Sequence, residues 1–343
     1  MSMTQGLAER TPARSVARPR VGFLGVGWIG RHRMAGIAAA DAVDIAAVCD
    51  PSPEMAAEAR KVAAGAQTVG SLDDLLAAGI DALVIATPSA LHAEQSIRAL
   101  ERGLAVFCQK PLGRTRGEVE AVIAAARAAD RLLAVDFSYR FTEGMRRIRE
   151  VVRSGELGSI YAVDLVFHNA YGPDKPWFYD RALAGGGCVM DLGVHLVDLA
   201  LWLLDVPHVT NVASTLYADG KRLSPKPERV EDYALATLEL DGGAVAQLAC
   251  SWRLPAGCDA VISIAVYGTQ GGAALRNVNG SFYDFVAERY RGTARETLAT
   301  PPDEWGVRAG ADWARRLAAG ERFDPAIEGV AAVASVIDRI YGR

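Results

Sequence analysis

Asp191, His195 and Asp198 follow a run of three glycines, Gly185-Gly186-Gly187, and stand four and three residues apart. On a helix these positions share one face. The segment from Met190 to Leu204 is otherwise apolar nearly all round, which marks a buried helix. A buried polar stripe needs polar matter opposite it. A hydroxylated substrate meets that need, and so does an Asp–His pair satisfied within the core. Imidazole, with an ordinary pKa near ~6.5, suits removal of a proton from an alcohol at neutral pH. Asp191, one turn away, is expected to orient His195 and stabilise its charged form. The glycines let backbone lie close to a ligand. Zinc on Asp191 and His195 lacks a third ligand at recognisable spacing, so no metal is expected.

Lys110 lies in Phe107-Cys108-Gln109-Lys110-Pro111-Leu112-Gly113, at the end of an apolar run that reads as a strand. Its three donors suit a substrate hydroxyl. Thr87-Pro88-Ser89-Ala90-Leu91-His92 follows another such strand; His92 reads equally as a helix-start residue at a cleft rim. The third element, Gly25-Val26-Gly27-Trp28-Ile29-Gly30, directly follows the first strand and opens the first helix. Gly25 permits a tight turn, Gly27 lets backbone approach a pyrophosphate, and Gly30 lets helix and strand pack closely. The helix start offers free N–H groups to phosphates. Asp50 ends the second strand about 20 residues on, where a carboxylate accepts from both ribose hydroxyls of NAD and repels the 2′-phosphate of NADP. Asp50 also reads as a helix cap before Pro51, a role compatible with the first.

These residues need elements to position them. Val21–Leu24, Asp44–Cys49, Ala82–Ala86, Ala105–Cys108 and Leu132–Phe137 alternate with helical stretches, the first from Ile29 to Ala39. Such alternation implies an α/β Rossmann domain with a parallel sheet, over residues 20–140. After Phe141 the pattern changes. A helix (Met145 to Ser154) and a long strand (Ile160–His168) precede the Met190–Leu204 helix. Strands then crowd together at Val209–Tyr217, Tyr233–Leu240, Ala244–Trp252 and Ala260–Tyr267, and a helix from Pro325 to Tyr341 follows. This is a C-terminal α+β domain, residues 141–343, with a large open, mainly antiparallel sheet. One face of such a sheet exceeds what one helical layer covers, so a homo-oligomer, dimer or tetramer, is expected through it.

The chain of 343 residues has a net charge of -4 with both signs interspersed, which is no footprint for nucleic acid. No apolar run approaches the ~20 residues of a membrane span. Five scattered cysteines without a CxxC pair read as reduced thiols of a cytoplasmic protein. Residues 1–19, lacking the apolar core of a secretory signal, are expected to be a disordered tail.

Together these motifs resemble the Gfo/Idh/MocA family of oxidoreductases, from Arg20 onward. The glycine fingerprint matches Gly25, Gly27 and Gly30; T-P-x-x-x-H matches Thr87, Pro88 and His92; E-K-P matches at Lys110 and Pro111; D-x-G-x-H-x-x-D matches Asp191, Gly193, His195 and Asp198. The resemblance implies a catalytic group of Lys110, Asp191 and His195, with His195 transferring the proton. A nicotinamide dinucleotide, NAD rather than NADP by the Asp50 argument, is expected to be held by Gly25, Gly27, Trp28, Ile29, Gly30, Asp50, Thr87, Pro88, His92, Gln109 and Lys110. The resemblance also implies a sugar, polyol or derivative as substrate. Gln109 departs from the pattern, which has Glu; the amide removes a charge that favours ammonium on Lys110. His168, Asn169, Tyr171 and Trp177, with Asp191 and His195, are the substrate-binding candidates. Aromatic faces among polar groups suit a sugar ring, and equally a hydrophobic plug or subunit contact. The expected reaction is hydride transfer from a secondary alcohol. Two alternatives stand beside it: transient oxidation that drives elimination or hydration on tightly held NAD, and a non-catalytic dinucleotide sensor.

Overall fold

The computed structural model describes residues 18–205, 208–224 and 228–343, so the expected tail lies outside the described residues up to position 17. Strands β1 (Arg20–Leu24), β2 (Asp44–Cys49), β3 (Gln67–Thr68), β4 (Ala82–Ile85), β5 (Ala105–Cys108) and β6 (Leu133–Val135) form a parallel sheet in the order β3-β2-β1-β4-β5-β6. β4 and β5 are buried along their whole length. That burial is why they read as unbroken apolar runs: helices cover both faces of a parallel sheet. The connecting helices are α1 (Trp28–Ala39), α2 (Pro53–Val62), α3 (Leu72–Leu76), α4 (Ser89–Glu101) and α5 (Arg116–Ala129). Strand order reverses between β1 and β4, which opens a crevice at the carboxyl ends of the strands.

The second half begins with α6 (Glu143–Arg153), β7 (Ile160–Asn169) and a short α7 (Arg181–Ala184). A π-helical turn, Val189–Gly193, then runs into α8 (Val194–Leu204). Strands β8 (Val209–Ala218), β9 (Lys221–Arg222), β10 (Tyr233–Leu240), β11 (Val245–Ser251), β12 (Ala260–Gly268), β13 (Gly272–Asn277), β14 (Phe285–Arg291) and β15 (Ala294–Ala299) follow, then α9 (Arg308–Ala318) and α10 (Gly329–Ile340). With β7 they build a second sheet, β15-β14-β13-β12-β7-β11-β10-β8-β9, antiparallel except where β7 lies parallel to β11. Alternation sorts its faces. Val163, Leu165 and Phe167 of β7 and Ala234, Ala236 and Leu238 of β10 are buried in the core that α8 and α10 share. Leu235, on the opposite face, is 45% exposed.

The parallel sheet, the open second sheet and the terminal helix stand as the sequence implied. β13 to β15 and α9 extend beyond that reading. Helix α9 also crosses the expected boundary between the domains. Its Trp313 packs on Phe107 (ring centroids 5.6 Å apart) in the same core as Val21, Phe23 and Met34. The first sheet is therefore closed by a helix from the far end of the chain. A second correction concerns length: Arg181–Leu204 is apolar and long enough for a membrane span, and 83% of its most apolar window is buried within the fold. Its π turn and α8 carry the candidate site.

Candidate active site

The carboxyl ends of β1, β2, β4, β5 and β6 all open into one cavity of about 780 Å³, whose far wall is formed by the π turn, the start of α8, Phe167 and Asn169. Gly25 makes the first turn at φ +82°, a left-handed conformation; its N–H donates to Cys49 O (2.8 Å). A Cβ at Gly27 would meet no protein atom within 4 Å and would stand in the open cleft. Helix α1 has no side-chain cap, whereas α2, α3 and α5 are capped by Ser52, Ser71 and Thr115. The N–H groups at the start of α1 are thus left for a ligand, and a dinucleotide pyrophosphate fits that cradle. Asp50 is not a helix cap; Ser52 is. Asp50 instead ties the end of β2 to the glycine turn: Oδ2 accepts from Val26 N (2.7 Å) and Oδ1 from Ser52 N (2.9 Å). Asp50 lines the cavity, and each of its oxygens can accept a further hydrogen bond.

Lys110 and Asp191 meet across the domain junction. Lys110 Nζ donates to Asp191 Oδ1 (2.7 Å) and to the Asp191 main-chain oxygen (2.7 Å). The other carboxylate oxygen accepts from Trp252 Nε1 (3.1 Å). This corrects the expected Asp191–His195 pairing: the carboxylate serves Lys110 and Trp252, because the π turn carries Asp191 toward the β5 loop. His195 sits at the start of α8, edge-on to Tyr139 (4.9 Å) and Phe137 (6.2 Å). Burial, and then the positive charges of Lys110 and Arg33, push its pKa well below the usual imidazole value. The ring is therefore neutral at pH 7, a proton acceptor. Its Nδ1 is buried without a partner among the described residues. Two further buried atoms, Asn169 Oδ1 and Asp136 Oδ1, belong to residues lining the same cavity and also lack partners among the described residues. Buried polar atoms are normally satisfied, so three such atoms around one cavity set it apart from the packed core.

Gln109 finds its reason in Asp136. Both Gln109 Nε2 and Arg33 Nε donate to Asp136 Oδ2, and all three side chains are buried. One arginine balances one carboxylate, and the amide adds a donor where a glutamate would add a second charge. Asp198, expected on the reactive face, is instead gripped through both oxygens by Arg140 (Arg140 Nε to Oδ2, 2.7 Å). The glycine run is spent on packing: a Cβ at Gly187 would lie 1.9 Å from Glu231 O and one at Gly186 1.9 Å from the Tyr341 hydroxyl. The buried Glu231 carboxylate accepts from Gly187 N (3.0 Å) and Val189 N (2.9 Å), so an unforeseen acid holds the amides where the π turn begins.

Of the remaining candidates, Trp28, Ile29, Thr87, Pro88, Asn169 and Trp177 line the cavity; Gly30 lies just behind it, against Gly25 O. His92 lines it too but is 1% exposed, and its two ring nitrogens each lie 2.7 Å from a carbonyl oxygen, Thr87 O and Pro111 O, to one of which a neutral ring donates. It ties the β4 and β5 loops together and offers a cofactor no free polar atom. His168 is a correction. It falls on the other face of β7 from Phe167, stacks on Tyr233 (5.8 Å) and contacts Ser251 Oγ (2.8 Å). Strand alternation decided this: Phe167 and Asn169 face the site, His168 cannot. Tyr171 is 53% exposed beside Phe282, outside the cavity. Sequence reasoning missed Arg33, Asp136, Tyr139, Arg140, Glu231 and Trp252; only Asp136 left a trace, as a charge inside the apolar stretch Leu132–Phe137.

The Gln109 cluster makes a stability prediction. Gln109→Glu places a second carboxylate against Asp136 and removes a donor, so it should cost about 1–3 kcal/mol at pH 7. One carboxyl of the pair then titrates above its unfolded value, binding a proton in the folded state first. The deficit should shrink as pH falls through that raised pKa. Urea unfolding of the two proteins at pH 7 and pH 5 checks this; an equal deficit at both would overturn the charge argument.

Residues 19–137 match the model of an oxidoreductase family with an NAD-binding Rossmann fold, and residues 145–274 match the GFO/IDH/MocA C-terminal domain. The chain is 30% identical over 247 residues to D-glucoside 3-dehydrogenase of Escherichia coli K12, covering 68% of this chain and 70% of that protein. Among solved structures it resembles GenD2 from gentamicin A biosynthesis in complex with NAD (TM-score 0.79, 26% identity, 98% of this chain and 96% of that one). It shares its fold with levoglucosan dehydrogenase in complex with NADH and levoglucosan (TM-score 0.81, 22% identity, 94% and 96%). With its glycine turn, its Lys110 and its His195 helix opening on one cleft, this chain belongs to the Gfo/Idh/MocA family of NAD-binding oxidoreductases.

Proposed function

We propose that the protein oxidises a secondary alcohol of a sugar, polyol or derivative, with His195 accepting the hydroxyl proton and Lys110 positioning the oxygen. The observation that carries this is the convergence of a neutral, buried imidazole and a carboxylate-held ammonium on the cavity that receives the glycine turn. Bound NAD supplies the hydride acceptor. The protein supplies the rest. Asp191, fixed by Trp252, holds the Lys110 ammonium where it donates to the substrate oxygen in both alcohol and carbonyl forms. Phe137 and Tyr139 hold the His195 ring edge-on and keep it uncharged until it takes the proton. Trp177, stacked on Phe178 (3.8 Å), offers an apolar wall to one face of a sugar ring. The names of the relatives, a glucoside 3-dehydrogenase and a levoglucosan dehydrogenase, support the substrate class. The free thiols support a reducing, cytoplasmic setting.

A panel of sugars and polyols with NAD, followed by NADH absorbance, tests the reading. Substrate consumption without net NADH would favour transient oxidation followed by elimination or hydration, and no turnover with tight NAD binding would favour a sensor. On a substrate the panel identifies, His195→Ala should lower kcat by roughly 10²–10⁴-fold with NAD affinity unchanged. Because burial depresses the His195 pKa, the wild-type rate should be level above pH ~6.5 and fall only in more acid solution. A rate climbing through pH 7 to 8 would refute a neutral His195. Lys110→Ala should damage KM as well as kcat, since a donor to the oxygen acts in the ground state too.

Asp50→Ala should weaken NAD and relax its preference over NADP, measured as the ratio of the two dissociation constants. Equal wild-type affinity for both would remove the argument from Asp50. The outer face of the second sheet, with Leu235 45% exposed, supports assembly into a dimer or tetramer through it. Light scattering at micromolar concentration should show an oligomer that Leu235→Lys weakens; a wild-type monomer would exclude it.

A further inference from the structure

Tyr139 carries a hydroxyl that proton transfer by His195 does not use. The residue sits in a short turn, Ser138–Phe141, just after β6, and lines the catalytic cavity. Four rings fix its own. It stands edge-on to His195 (4.9 Å), Phe167 (5.6 Å) and Phe285 (6.1 Å), and tilted against Trp305 (4.8 Å). The place of the hydroxyl is therefore set before a ligand arrives. A phenylalanine would make the same ring contacts, so packing gives the oxygen no task. A buried tyrosine hydroxyl normally finds a partner. This one has none among the described residues, yet it is not sealed off from solvent as Asn169 Oδ1 and Asp136 Oδ1 are. The residue is only 8% exposed, and the surface it keeps belongs to the cavity it lines. The charged and phenolic groups that act on it, Asp191, Tyr283 and Arg33, line that cavity too. Burial, and then Asp191 and Tyr283, push its pKa far above the ordinary phenol value. It stays protonated: a neutral donor and acceptor that moves no proton of its own.

We propose that the Tyr139 hydroxyl binds a second hydroxyl of the substrate, close to the one that gives its proton to His195, and so selects polyhydroxylated rings over lone secondary alcohols. This rests on the reading of the cavity as a sugar or polyol site. With the imidazole and phenol rings 4.9 Å apart, hydrogen bonds of about 3 Å from each can meet hydroxyls of one sugar ring. Tyr139 packs on Phe167, in the wall across the cavity from the glycine turn, which points it to the substrate rather than the dinucleotide. The second hydroxyl is the same before and after oxidation of its neighbour. Its hydrogen bond therefore strengthens ground state and transition state alike, and belongs to KM rather than kcat. That separates Tyr139 from His195, whose loss falls on kcat, and from Lys110, whose loss falls on both.

Calorimetric titration of the full chain saturated with NADH tests the proposal, since an alcohol then binds without a hydride acceptor and nothing turns over. The probes are glucose, methyl glucoside, levoglucosan and myo-inositol, followed by the monodeoxy analogues of whichever binds tightest. Tyr139→Phe keeps the ring and removes only the oxygen. It should weaken the tightest probe about tenfold, with NADH affinity and thermal stability unchanged. One monodeoxy analogue, the one lacking the hydroxyl that Tyr139 meets, should bind variant and wild type equally; the others should keep the tenfold penalty. In turnover with NAD, KM should rise by a similar factor and kcat fall much less. Equal binding of every probe by variant and wild type would overturn the inference. A penalty shared by all analogues together with lower thermal stability would mark a packing role and overturn it too. Weakened NADH binding would assign the hydroxyl to the dinucleotide, and a wild-type NADH complex that binds no probe would leave it no sugar; either result overturns the inference. The dehydrogenase reading fails in a different pattern: probes bind with the selective Tyr139 penalty, but no NADH forms from NAD.

Discussion

The contact on which the rest of this molecule depends is the bridge between Lys110 and Asp191. One partner ends a strand of the parallel sheet, the other begins the core helix of the second domain, and 81 residues separate them. The pair is largely screened from solvent, with side-chain exposures of 18% and 16%. In that setting neither charge can be left alone without a large penalty, so each domain completes the other's polar balance. The bridge also uses the Asp191 carbonyl, which lies within the π-helical turn. A strictly α-helical segment would have turned Asp191 toward His195, as its spacing suggests. The wider turn gives the carboxylate to lysine and leaves the histidine neutral.

A neutral His195 follows from what surrounds it. The two cations that face it, Lys110 and Arg33, are each already paired, with Asp191 and Asp136, and burial disfavours a third positive charge. The same economy recurs around the core. Arg140 closes on Asp198, and Glu231 closes on the amides that open the π turn before α8 and on the Tyr341 hydroxyl (2.8 Å). These buried acids are satisfied by partners far away in sequence, and together they fix one register of α8 against the two sheets. Position is thereby set before any ligand arrives, which is what a catalytic geometry needs.

Much of this was legible in the sequence, for identifiable reasons. The glycine turn, Asp50 and the strand that precedes them form one local unit, so type and spacing suffice. Buried strands such as β4 and β5 announce themselves as apolar runs. What failed to show was whatever depends on contacts between distant segments. Trp252 and Glu231 look like ordinary strand and loop residues until β11 and the loop before β10 are brought beside Asp191 and Gly187. Helix α9 reads as part of the second domain because nothing local says that Trp313 will pack on Phe107. His168 was misplaced for a different reason. Its parity along β7 was available, but the choice of inward face depends on which neighbours the strand acquires.

Gln109 shows how local departure and distant compensation belong together. Taken alone, an amide where the family pattern has an acid looks like a loss of charge beside Lys110. The structure puts that charge back one strand away: Asp136, at the end of β6, supplies the carboxylate, and Gln109 donates to it. Arg33, from the first helix, then faces one acid rather than two, and the cluster stays balanced while buried. Asp136 Oδ1 has no partner among the described residues, so the one carboxylate of the cluster serves Gln109 and Arg33 through its other oxygen. The amide therefore keeps one negative charge against one positive charge in a place where a second, unpaired carboxylate would carry a large desolvation cost.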